Sequence, residues 1–249
     1  MSISSAIEDF HRAHTKAVLQ EIFAKAAGKS VDLLSYDEVR KELKLHNTAI
    51  DRGLQEIPLD AIVGSAGRYE DFTKSFFPKR TSDESRWAGV KVAVESLTGV
   101  PPVEVYKVDQ VYFVLDGNHR VSIARQMEVP SIQAYVKEIQ VNVSLTPDIE
   151  PQDLILKSEQ SAFFNRTKLN ETRPLIDFTL TATGMYEKLI EHINTHRYFM
   201  GIDFNVKWSG KKASCIGVTT YINQCTMSSS NKVCFGNFPI AHRLICISG

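Results

Sequence analysis

The chain has 249 residues, with 29 Lys plus Arg against 29 Asp plus Glu, so its formal net charge is zero. Hydrophobic residues make up 43% and charged residues 23%, the composition of a globular protein with a real core. Zero net charge argues against a protein that grips nucleic acid with its whole surface, and no apolar run of about 18 residues exists to span a membrane. The N-terminus MSISSAIEDFHRAHTK is charged where a signal peptide needs an apolar stretch, so a cytoplasmic location is expected.

Charge is unevenly spread. No Asp or Glu follows Asp203, while Lys207, Lys211, Lys212, Lys232 and Arg243 do. The first 203 residues hold 24 basic against 29 acidic side chains, so they carry −5 and the tail +5. All four cysteines lie in that tail, at Cys215, Cys225, Cys234 and Cys246, with spacings that fit no zinc pairs, and free thiols are expected.

In chain order, residues 3–27 read as an amphipathic helix with Ile3, Ile7, Phe10, His14, Ala17, Val18 and Ile22 at helical spacing and Gly28 as stop. Ser35-Tyr-Asp-Glu38 is a capping box opening a short helix to about Leu43. Leu54–Pro58 reads as a short strand, 63–80 as a loop with some helix, and Thr81-Ser-Asp-Glu84 as a second capping box opening a helix to about Leu97. Val103–Val108 and Val111–Leu115 form a predicted hairpin around the Asp109-Gln110 turn. The second strand runs into Asp116-Gly117-Asn118-His119-Arg120, then a short helix, then a strand over 131–139. Pro147 and Pro151 mark a linker; a helix over 152–168, a strand over 176–181 and a helix capped by Thr183 and running from Gly184 or Met185 to about Met200 follow. The expected organisation is a helical arm (1–48), a core (49–145), a helical region (146–203) and an atypical, partly disordered tail (204–249).

The turn at 116–120 carries the most chemistry. A glycine after a strand permits a sharp turn, and the helix that follows directs free N–H groups and its positive end outward, which suits phosphate. Arg120 can fork onto phosphate oxygens, His119 can donate a bond or move a proton near neutral pH, and Asp116 can hold a divalent cation beside the phosphates. The competing reading is a polar turn, with Asp116 as helix cap and Arg120 in a surface ion pair. Gly64-Ser-Ala-Gly67-Arg68-Tyr69-Glu-Asp-Phe72 is a second candidate: a glycine loop whose Arg68 could cover the phosphates, or a surface loop anchored by Tyr69 and Phe72. His192 and His196 share a helix face, but Glu191-His-Ile-Asn-Thr-His lacks the metalloprotease base, so polar-face or interface residues are the expectation.

The stretch VYFVLDGNHRVSIARQMEVPSIQAYV resembles the nucleotide-binding module shared by ParB N-terminal domains, sulfiredoxins and ParB-like free-serine kinases. Gly117, His119 and Arg120 match that module's turn, Ala124 its small packing residue, and Leu54–Ile62 its entry strand and following turn, so the resemblance covers about residues 50–140. It implies an α+β fold with a small mixed sheet and packed helices, flanked here by the helical arm and the helical C-terminal region. It also implies a nucleoside di- or triphosphate held by Gly117, Asn118, His119 and Arg120, with Arg68 over it and Mg²⁺ at Asp116. Whether the nucleotide is hydrolysed, used for phosphoryl transfer or only switches conformation stays open, as does self-association. Sulfiredoxins carry cysteine where Asn118 stands, so their chemistry is not expected. No helix-turn-helix is legible over 152–200, which ranks a DNA-binding regulator second and an interaction protein with a vestigial site third. The serine-kinase branch implies an acidic base, for which Glu56, Glu95 and Glu104 are candidates. The acid-free tail departs from the charged helical extension of such proteins, as an out-of-frame end or a divergent one.

Overall fold

The computed structural model describes residues 2–28, 30–45, 48–96, 100–172, 174 and 177–204, with backbone only at 196, 197 and 199–204. The tail with its cysteines and the composition break after Asp203 fall outside them. The chain divides into two compact units, residues 1–161 and 162–249.

Unit one is built on a six-stranded mixed sheet. Its elements are α1 (Ile3–Ala26), β1 (Leu34–Ser35), α2 (Tyr36–Glu42), β2 (Ala49–Pro58), β3 (Ile62–Ser65), α3 (Glu84–Glu95), β4 (Val103–Val108), β5 (Val111–Asp116), α4 (Asn118–Gln126) and β6 (Ser131–Ile139). The strand order is β1-β3-β5-β4-β6-β2. β1–β3, β3–β5 and β4–β6 pair in parallel, while β4–β5 and β2–β6 are antiparallel. This is the expected α+β class with helices packed on a small mixed sheet.

The expected hairpin forms with its reversal at Asp109, which takes a φ of 56. The Asp109 carboxylate accepts from the Leu145 N–H at 2.9 Å, so the turn also anchors the chain beyond β6. Alternate residues of the strands, Val103 and Val105, Val114, Ala134 and Val136, face Val121 and Ala124 of α4 in the main core. A second cluster of Phe10, Trp87 and Ile123 joins α1, α3 and α4. The Trp87 indole donates to Ser122 Oγ at 3.0 Å, so α4 is fixed to the sheet on one side and to α3 on the other.

Four expectations change. Strand β3 lies where a loop was read, because two glycines there resemble punctuation. A Cβ on Gly64 would lie 2.2 Å from the Leu34 carbonyl oxygen and 2.6 Å from the Phe113 ring, so this glycine is what lets β3 sit between β1 and β5. Strand β2 begins at Ala49 rather than Leu54, its first half hidden by a bulge between Asp51 and Leu54 where Gly53 has a φ of 67. Ser35 caps α2 as expected, its Oγ accepting from the Glu38 N–H. Thr81 does not cap α3. Residues 81–83 form a 3-10 turn with no side-chain cap, and the Asp83 carboxylate is instead bonded by Arg68. Helix α1 forms, but Ile3, Val18 and Ile22 are exposed; Ala6, Asp9, Phe10, Ala13 and Ala17 make its buried face, whose three alanines let it lie close to its neighbours.

Helix α5 (Asp153–Thr167) crosses into unit two, which adds α6 (Leu169–Thr172) and α7 (Met185–Phe204). Its core is aromatic: Phe163 lies against Phe164, Phe178 and Tyr186. The strand expected over 176–181 is not formed at 178–180. The Tyr186 hydroxyl donates to the Phe178 carbonyl at 2.8 Å and accepts from the Leu180 N–H at 3.2 Å, so a side chain takes the role of a strand partner. Among the described residues no helix is long and apolar enough to cross a membrane.

Candidate functional site

Strand β5 ends at Asp116, and α4 starts two residues later. Gly117 bridges them with a φ of 105, a conformation L side chains rarely adopt. A Cβ there would also meet Val103 Cγ1 at 2.6 Å, so both backbone and space require glycine. The Gly117 carbonyl accepts the first helical bond, from the Val121 N–H at 3.0 Å, and no side chain caps the end. The N–H groups of Asn118, His119 and Arg120 therefore have no intrahelical acceptor, and the positive end of the helix dipole lies with them.

Arg120 is not a free cation. Its Nη1 donates to the Pro102 carbonyl at 2.7 Å and to the Pro101 carbonyl, and its Nη2 to Asp116 Oδ2. Its side chain is 13% exposed while that of Asp116 is 66% exposed. The ion pair of the competing reading is thus present, although Asp116 is not the helix cap, since Gly117 holds that position.

His119 is 5% exposed, with its ring edge-on to Phe72 at 5.4 Å. Its Nε2 lies 3.0 Å from Arg68 Nη1. A guanidinium only donates, so Nε2 accepts and the neutral ring carries its proton on Nδ1. That Nδ1 is buried without a partner among the described residues, as is the Asn118 Oδ1. Burial first, and the Arg68 charge second, push the imidazole down from 6.5 to about 4. Between those values the folded protein holds fewer protons than the unfolded chain, so stability falls as pH drops from 6.5 towards 4. We expect His119 to account for a loss of roughly 2–3 kcal/mol by the bottom of that window. Urea midpoints at pH 7 and pH 5 for wild type and His119→Gln measure it: the variant should decline less, and parallel declines would contradict the assignment.

Arg68 is held from three sides. Its Nε donates to Asp71 at 2.6 Å and its Nη2 to both Asp83 oxygens at 2.9 and 3.0 Å, besides the contact to His119. Ser65, at the end of β3, sets the loop: its Oγ accepts from the N–H groups of Gly67 and Arg68, each at 3.4 Å, and donates to the Val114 carbonyl on β5 at 3.2 Å. An open pocket of about 320 Å³ is lined by Gly67, Arg68, Tyr69, Glu70, Asp71 and Arg80. Arg80 closes one side through an ion pair of 3.0 Å to Asp71. The glycine loop and the helix turn, read separately in the sequence, thus meet at Arg68 and His119, 51 residues apart.

Sequence reasoning missed the parts that Asp71, Asp83 and Arg86 take at the site. Arg86 is exposed, makes no ion pair among the described residues, and is near enough to His119 for its charge to lower that imidazole further. Its signal was present three residues after Asp83, but that segment reads only as a helix start. Glu104 pairs with Asp116 across β4 and β5. Glu56, bonded by Ser131 on the β2–β6 pair, is farther along the sheet from the turn. His192 on α7 is exposed, and the side chain of His196 lies outside the described residues. No three His, Cys, Asp or Glu side chains cluster as metal ligands among the described residues.

No known family matches the sequence, and no curated protein matches it. Among solved structures, the chain is similar to the sulfiredoxin of Arabidopsis thaliana at 20% identity and a TM-score of 0.27, over 35% of this chain and 86% of that one.

Proposed function

We propose that the N-terminal turn of α4 binds the phosphates of a nucleoside di- or triphosphate. The observation that carries the reading is the junction of Arg68 with His119, which sets a loop cation beside an uncapped helix start. Backbone N–H groups of residues 118–120 would take phosphate oxygens. Arg86 supplies an uncommitted charge, and the pocket beyond Arg68 offers space for the rest of the ligand. A divalent ion fits at Asp116 only as a companion of the phosphates, because the described residues offer no ready-made set of three ligands. The chemistry does not extend to a sulfiredoxin nucleophile, since Asn118 has no thiol.

A duplex is the poorer fit. The first 203 residues carry 24 basic against 29 acidic side chains, and non-specific DNA binding releases counterions from many phosphates at once. We expect the full chain to gain thermal stability from one or more of ATP, ADP, CTP and GTP, tested with and without Mg²⁺. We expect negligible binding of a labelled random duplex at physiological salt, measured by fluorescence anisotropy on the same sample. Tight duplex binding with a steep salt slope and no nucleotide shift would make the regulator reading the leading one.

A further inference from the structure

Arg120 offers two kinds of bond, and they differ in how easily they exchange. Nη1 is held by two backbone carbonyls, of Pro101 and Pro102, which belong to the segment entering β4. Nη2 is held by Asp116, a side chain 66% exposed at the end of β5. A carboxylate offers a guanidinium the same pair of anionic oxygens that a phosphate does. We infer that Asp116 is an internal competitor for phosphate: it occupies the Nη2 edge of Arg120 and must swing into solvent before a phosphate oxygen takes its place. This rests on the proposed phosphate site and adds its control.

The geometry favours exchange over rupture. The guanidinium stays anchored through Nη1, so only one of its edges changes partner. Asp116 and Arg120 are four residues apart with Gly117 between them, so the carboxylate can turn away without moving α4. An ion pair with one partner in solvent is weakly held, and Asp116 is that partner, which sets a modest restraint rather than a block. Removing the competing carboxylate should therefore raise phosphate affinity, whereas a simple loss of nearby negative charge predicts the same gain from any neighbouring acid. Glu104 is the control, for it is the ladder partner of Asp116 and pairs with Lys137, not with Arg120.

The test is calorimetric titration of the full chain with inorganic tripolyphosphate in Mg²⁺-free buffer, so that neither a base nor a cation enters the comparison. Wild type, Asp116→Asn, Asp116→Ser and Glu104→Gln are compared, with thermal melts to verify folding. Affinity should rise about two- to fivefold in both Asp116 variants, the range expected for losing a weak ion pair, and by much less in Glu104→Gln. Equal gains in all three variants would overturn the competition and leave only a field effect. Binding by wild type with unchanged or weaker binding by the Asp116 variants would overturn the inference while the phosphate site stands. Absence of binding in every folded protein would remove both.

Discussion

Gly117→Ala is expected to destabilise the protein by about 3 kcal/mol, the sum of a positive-φ penalty and overpacking. The backbone at this position has a φ of 105, and the new Cβ would press within 2.6 Å of Val103 Cγ1 in the main core. Relief requires either the Val103 side chain to leave its place in the core or α4 to tilt away from β5. The matched control is Gly67→Ala in the pocket loop, where a Cβ would meet nothing within 4 Å. That variant should change stability by less than about 0.5 kcal/mol. Urea unfolding of both variants makes the comparison. A Gly117→Ala protein as stable as Gly67→Ala would mean that the turn is not built as described, and the placement of its N–H groups would go with it.

Asp9→Ala should cost about 3–5 kcal/mol, the usual range for orphaning one member of a buried ion pair. Lys91 Nζ lies 2.5 Å from Asp9, and the two side chains are 6% and 7% exposed. Asp9 is also bonded by Arg12, while among the described residues Lys91 otherwise reaches only Gln126 Oε1, at 3.3 Å, and the Trp87 ring. Gln126 in turn donates to the Asp9 carbonyl, so one node joins α1, α3 and α4. Truncating Asp9 leaves an ammonium in an apolar setting. Asp9→Leu combined with Lys91→Met removes both charges and should recover most of the loss, because the pair's desolvation cost then disappears. Guanidinium melts of the single and double variants measure the coupling. A double variant as unstable as the single one would show that packing around α1, rather than the charge pair, holds this corner.

What the sequence made legible follows from where local and tertiary signals coincide. The β4–β5 hairpin and the turn into α4 were readable because Val103–Val108 and Val111–Leu115 are β-branched runs separated by turn residues, and Gly117 stands where a strand must become a helix. Strand β3 was not readable, since Gly64 weakens any strand signal and its reason for being glycine is the distant Leu34 carbonyl and Phe113 ring. The face of α1 was misjudged for a related reason. It carries two apolar stripes, and only packing selects the one made of alanines with Phe10 over the one with Val18 and Ile22. At the site, the type of every turn residue was visible, but its commitments were not. Nothing local to Arg120 announces the carbonyls of Pro101 and Pro102, and nothing local to Arg68 announces His119 or Asp83.

The claim that phosphates sit on the α4 turn makes a spatial statement, so amide chemical shifts test it most directly. A ¹⁵N-labelled full-length protein would be titrated with the nucleotide that gives the largest thermal shift. The account predicts that the backbone amides of Asn118, His119 and Arg120 move first and farthest, through the loss of their solvent partners to phosphate oxygens, and that residues 67–71 of the pocket loop follow with the same apparent affinity. Shifts that leave residues 118–120 in place while clustering on another surface would contradict it.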